Sequence, residues 1–137
     1  MRRVIAIDYG SVRIGIAISD PLKMFARPYD TIQNKGDESV INKIREIIES
    51  EDVELIVVGL PLNMEGEDTA QTTLVREFFA SLREQTDIPL VWQDERFTSQ
   101  EANAGLKRKR LTIHQSRARI DKTAAAVILQ RYLDKES

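Results

Sequence analysis

Two hydrophobic periods divide the chain. Val4-Ile5-Ala6-Ile7 is an unbroken apolar run within Arg3–Tyr9, the pattern of a central strand buried on both faces. Gly10-Ser11 reads as a turn, and Arg13–Ser19 as a second strand antiparallel to the first. A third strand over 26–34 is placed at an edge by Pro28, which has no amide to donate. The period then changes to 3.6. Val40, Ile41, Ile44, Ile47 and Ile48 fall on one face of a helix over 37–50. Leu55-Ile56-Val57-Val58 is another buried strand, running into the loop Gly59-Leu60-Pro61-Leu62-Asn63-Met64-Glu65-Gly66. Asp68 with Gln71 forms a capping box for a helix striped by Leu74, Val75, Phe78, Phe79 and Leu82. A short strand over 88–92 leads to Asp94-Glu95-Arg96. Thr98 with Glu101 then caps a helix toward Leu106, 107–115 is a basic loop, and a last helix over 117–134 turns Ile120, Ala124, Val127 and Ile128 inward.

The order β-β-β-α-β-α-β-α-α predicts an α/β fold. An antiparallel meander followed by βα crossovers gives a mixed five-stranded sheet with helices on both faces. At 137 residues the chain suits one domain, 1–137, with a single core. Apolar residues at 42% and charged residues at 31% are ordinary globular values, which argues against disorder. The absence of cysteine excludes disulfides and zinc-thiolate sites. No stretch approaches a membrane span, and the four apolar residues before Asp8 are too short for a signal peptide, so a cytoplasmic protein is expected.

Net charge is −2, which alone points to no polyanionic partner. Its distribution changes the picture. Residues 96–122 hold eight basic side chains (Arg96, Lys107, Arg108, Lys109, Arg110, Arg117, Arg119, Lys122) against Glu101 and Asp121, a local charge of +6. A basic segment on an acidic protein suits a phosphate-binding face, and equally an ordinary solvated surface.

Acids sit where open α/β sheets place their ligand sites, beyond the carboxyl ends of the strands. Asp8 follows the first apolar run, and Asp94 and Glu95 follow the strand at 88–92. Asp121, beside the small residues Ala124-Ala125-Ala126, joins them if the last helix packs across the same edge. Three converging carboxylates need a cation between them, and hard oxygen ligands select Mg²⁺ or Mn²⁺. Such ions activate water and stabilise the leaving oxygen in phosphodiester hydrolysis. Each acid also has a plain structural role open to it: Asp8 in a hairpin turn, Asp94 or Glu95 paired with Arg96, Asp121 in a helix first turn.

These residues fall within four segments that resemble the YqgF (RuvX) family. They are Asp8-Tyr9-Gly10-Ser11-Val12-Arg13-Ile14-Gly15-Ile16-Ala17 with Ser19-Asp20; Val58-Gly59-Leu60-Pro61-Leu62-Asn63-Met64-Glu65-Gly66; Asp94-Glu95-Arg96-Phe97-Thr98-Ser99; and Asp121-Lys122-Thr123-Ala124-Ala125 with Ile128-Leu129-Gln130. The resemblance implies an RNase H-like fold akin to RuvC-type Holliday-junction resolvases. It also implies a nuclease, described for the family as a resolvase or as maturing the 5′ end of precursor 16S ribosomal RNA in ribosome biogenesis. Carried over by position, Asp8, Glu95 and Asp121 are the catalytic, metal-binding acids. Arg13 and Arg96 are placed for phosphate or for pairing with the acids, and the loop through Asn63 and Gly66 lines the substrate groove. Lys107, Arg108, Lys109 and Arg110 match the family only in their basic character. The implied partner is nucleic acid, a structured RNA or a branched DNA, bound by a monomer or weak homodimer.

Two other functions compete. An actin-like ATPase also uses an Asp-x-Gly hairpin, but it needs two domains and a second phosphate hairpin. A non-catalytic nucleic-acid-binding module would be expected to lose at least one of the three acids. Among conspicuous residues, Trp92 continues the Leu90-Val91 run as core, and the lone His114 is a solvent-facing loop residue. Tyr9 either packs or stacks on a sugar.

Overall fold

The computed structural model describes residues 2–95 and 113–136, the side chains of 113–121 excepted. Five strands form one sheet: β1 (Arg3–Tyr9), β2 (Arg13–Ser19), β3 (Ala26–Gln33), β4 (Val53–Leu60) and β5 (Leu90–Asp94). The order across it is β3-β2-β1-β4-β5. β1–β2 and β2–β3 pair antiparallel, whereas β1–β4 and β4–β5 pair parallel. The mixed meander-plus-crossover sheet is therefore as expected, and Pro28 lies on the edge strand.

Among the described residues three helices cover the sheet: α1 (Asp37–Glu51), α2 (Ala70–Gln85) and α3 (Ile113–Glu136). Alternation along each strand sorts the core into two layers. Ile5, Ile7, Ile14, Ile16, Ile18, Ile56 and Val58 meet Val40, Ile41 and Ile44 of α1 and Val75, Phe78 and Leu82 of α2. Val4, Ala6, Ala17 and Val57 meet Ala125, Ile128, Leu129 and Leu133 of α3. The uninterrupted apolar run of β1 thus reflects burial on both faces. The α3 layer is made of smaller side chains, so the helix backbone lies close to β1, β2 and β3. Gln130 fastens it: its amide oxygen accepts from the Ala26 N–H (2.8 Å) and its amide nitrogen donates to the Met24 carbonyl (3.0 Å).

Several boundaries differ from the sequence expectation. β5 begins at Leu90 rather than at 88: its pairing with β4 opens at Ile56–Leu90, where the Ile56 N–H donates to the Pro89 carbonyl (3.0 Å). The cap of α2 is Thr69, not Asp68. Thr69 Oγ1 accepts the Thr72 N–H and Thr72 Oγ1 accepts the Thr69 N–H, a reciprocal box worth about 1 kcal/mol. Asp68 is drawn off by Arg76, which donates to both its oxygens at 2.9 Å. Leu74 is exposed, its place in the stripe taken by Thr72. α3 starts at Ile113, so 113–115 are helical rather than loop and His114 belongs to a helix. Val127 is only half-buried, and Ala125, Leu129 and Leu133 carry the contact instead. The helix expected over 98–106 and the basic loop up to 112 lie outside the described residues. Among the described residues, no helix is long and apolar enough to cross a membrane.

Candidate metal centre at the carboxyl edge of the sheet

The β1–β2 hairpin sets the position of Asp8. Gly10 makes its turn possible, since a Cβ there would stand 2.4 Å from the Arg13 carbonyl oxygen. Asn34, just beyond β3, donates its side-chain amide to the Gly10 carbonyl (2.8 Å) and its backbone amide to the Val12 carbonyl (2.9 Å). Gln71, in the first turn of α2, donates to the Tyr9 carbonyl (3.0 Å). Asp8 pairs with Gly15 in this ladder and shares the α3 side of the sheet with Val4 and Ala6.

Glu95 follows β5, which runs parallel to β1 two strands away. Its N–H donates to the Leu60 carbonyl (3.2 Å), extending the β4–β5 pairing one residue past Asp94. Val91, Gln93 and Glu95 alternate onto the α3 side, whereas Leu90, Trp92 and Asp94 alternate onto the other. Glu95 is largely enclosed, and its side chain hydrogen-bonds that of Asp8. Burial, the Asp8 charge, that hydrogen bond and the Asp94 charge push its carboxyl up to about 9.

Asp8 and Glu95, distant in sequence, are thus brought into contact. Two carboxyls this close hold a proton between them or a cation in its place. The donor set is oxygen alone, so the residues fit a hard divalent ion such as Mg²⁺ or Mn²⁺. Among the described residues no group of three or more ligating side chains occurs. Asp121 lies in the α3 backbone one turn ahead of the buried Ala125, but its side chain is outside the description.

The remaining expected site residues divide. Arg13 opens β2, partly buried, on the same side of the sheet as Gly15 and Ala17. Asn63 is occupied with its own loop: Oδ1 accepts the N–H groups of Glu65 (3.1 Å) and Glu67 (2.8 Å), bending the chain around Gly66 at φ 82°. Arg96, Lys107, Arg108, Lys109 and Arg110 lie outside the described residues. Tyr9 is packed, its ring 4.5 Å from that of Phe78 and its hydroxyl donating to Asp37 (2.6 Å). Trp92 stacks on Phe79 at 3.9 Å, as a core residue should. The sequence expectation missed Asn34 and Gln71 as supports of the hairpin, and it read Gly59 as the start of a loop rather than as part of β4. A glycine closing a run of valines was the available signal.

Comparison with known proteins identifies relatives of this chain. A protein of Maridesulfovibrio salexigens is 41% identical over 131 residues, covering 96% of this chain and 97% of its own. One of Endomicrobium trichonymphae is 42% identical over 138 residues, covering 100% and 99%. Both are named "Putative pre-16S rRNA nuclease". Among solved structures, Thermus thermophilus RuvC in complex with a Holliday junction superposes with a TM-score of 0.61 at 13% identity, covering 99% of this chain and 96% of RuvC. The fowlpox virus resolvase, also bound to a Holliday junction, gives 0.60 at 8% identity and 98% of each chain. At such identities the likeness establishes the fold, that of the RNase H-like resolvases. The family model described as "RuvX: Holliday junction resolvase" matches residues 2–135, and the chain belongs to that family.

Proposed function

We propose that this protein is a metal-dependent nuclease that hydrolyses phosphodiester bonds at the 5′ end of precursor 16S ribosomal RNA. The observation that carries the reading is the enclosed Asp8–Glu95 carboxyl pair at the carboxyl edge of the sheet. The names of relatives about 40% identical over nearly the whole chain support the substrate. Asp8, Glu95 and Asp121 would hold Mg²⁺ or Mn²⁺, which when bound activates water and stabilises the leaving oxygen. By holding that charge the acids would orient the scissile phosphate, above the apolar layer packed under α3. Arg13, Arg96 and the run Lys107–Arg110 would contact phosphates of the substrate. One domain acting in the cytoplasm, as a monomer or weak homodimer, accords with this role.

The family description favours a second reading, cleavage of branched DNA. One experiment separates the two. The purified protein is incubated with Mg²⁺ or Mn²⁺ and labelled precursor ribosomal RNA, linear duplexes and four-way junctions. Metal-dependent cleavage near the mature 5′ end of the RNA is expected. Cleavage of junctions alone would transfer the assignment to recombination, and no cleavage of any substrate would remove the nuclease reading.

A further inference from the structure

Asp8 and Glu95 are not on neighbouring strands. β4 lies between β1 and β5, and adjacent strands are ~4.8 Å apart, so Glu95 must reach across roughly 10 Å of sheet to meet Asp8. The register identifies what it crosses. Ile7 pairs with Val58, which sets Asp8 opposite Gly59, and Gly59 pairs with Gln93 two residues before Glu95. Val57 faces α3, and by alternation Gly59 faces the same side.

A Cβ at Gly59 would stand 2.7 Å from Glu95 Oε2, 3.2 Å from Glu95 Cδ and 2.7 Å from Ile128 Cδ1. Among the described residues the glycines with positive φ are Gly36 and Gly66, so no unusual conformation explains Gly59. Space explains it. The carboxylate of Glu95 and the tip of Ile128 from α3 both rest on the bare backbone of β4.

We infer that Gly59 is a positioning residue of the acid pair: by lacking a side chain, it leaves the gap through which Glu95 crosses β4 to reach Asp8. A methyl group at 59 would lift the carboxylate off the sheet while leaving both acids in the chain. This inference rests on the reading of Asp8 and Glu95 as metal ligands.

The substitution Gly59→Ala crowds two groups at once, so the test must separate them. Ile128→Val removes the Cδ1 atom and relieves the helix contact, leaving the contact with Glu95. Thermal melting with a Mn²⁺ titration measures metal binding without turnover, and cleavage kinetics follow in parallel. The double variant Gly59→Ala/Ile128→Val is expected to melt cooperatively, near the temperature of Ile128→Val alone. Its Mn²⁺ midpoint should weaken by on the order of tenfold or more. Its kcat should fall by about a hundredfold, as for a misplacement of about 1 Å, with KM for the nucleic acid unchanged. Wild-type Mn²⁺ midpoint and kcat in the double variant would overturn the inference while leaving the metal reading intact. A double variant that does not fold would also overturn it, because the helix contact would then be what the glycine serves. Absence of any Mn²⁺-dependent rise in the melting temperature of the unmodified protein would remove the metal reading, and this inference with it.

Discussion

Two carboxylates near opposite ends of the sheet illustrate two uses of the same group. Asp20, just past β2, is half-buried and surrounded by donors. Its Oδ1 accepts the N–H groups of Met24 (2.9 Å) and Phe25 (2.8 Å), and its Oδ2 accepts that of Leu22 (3.2 Å). These bonds, that of Phe25 foremost, hold its carboxyl below the usual range. Glu95 is enclosed and has Asp8 for a neighbour, and its carboxyl is pushed up to about 9. A carboxylate whose lone pairs are filled by backbone amides organises a loop. One whose lone pairs meet another acid is left with a demand that only a proton or a cation satisfies.

The largest effect expected from this contrast follows removal of one charge from the acid pair. Asp8→Asn and Glu95→Gln should each abolish cleavage and the Mn²⁺-dependent rise in melting temperature, while the metal-free fold persists. Asp94→Asn should retain measurable amounts of both, because Asp94 alternates onto the far side of the sheet. Cleavage assays and calorimetry on the three variants check this. Loss of both functions in Asp94→Asn alone would shift the site by one residue.

A smaller effect concerns pH. The folded Glu95 carboxyl lies above its ordinary value of 4.5, so between 4.5 and about 9 the folded protein holds a proton that the unfolded chain has lost. That contribution to stability is complete below 4.5 and is lost as pH rises toward 9. The metal-free melting temperature should therefore decline across this window, and Mn²⁺ should restore more of it at the higher pH. Glu95→Gln should flatten the dependence. A metal-free profile that rises with pH would contradict the assignment. Asp20 has the opposite sign: its depressed pKa contributes stability that is lost as pH falls through the acid range.

The smallest effect is at Asp20 itself. Asp20→Asn keeps one acceptor oxygen but loses the charge, and should lower the melting temperature by a few degrees without changing cleavage. A strong loss of cleavage in that variant would mean that the two ends of the sheet are coupled.

Most of the sheet was legible because burial on both faces leaves unbroken apolar runs. Val4–Ile7 and Leu55–Val58 needed no tertiary information to be seen as central strands. Asp8 and Glu95 were legible for a related reason, since each interrupts or follows such a run at the edge where ligands bind. The missed features depend on partners that the local pattern does not show. Whether Asp68 or Thr69 caps α2 depends on Arg76, which pulls Asp68 aside. Gly59 resembled a turn glycine, and its value shows only once a glutamate 36 residues later folds over it. Local pattern reports what a residue prefers, whereas these two are decided by what arrives beside them.

The position of α3 also orders events during synthesis. The meander β1–β3 and strand β4 leave the ribosome first, yet among the described residues Val4, Ala6, Ala17 and Val57 are covered by a helix that begins at Ile113. The large-residue layer beneath α1 and α2 can close early from contacts short in sequence, whereas the layer above must wait for the last 24-residue element. Until then the nascent sheet presents a shallow apolar surface of small side chains, and the stretch bearing Asp121 arrives with the helix that covers it. Growth of the chain thus delivers Asp121 and the cover of the α3 layer in the same step.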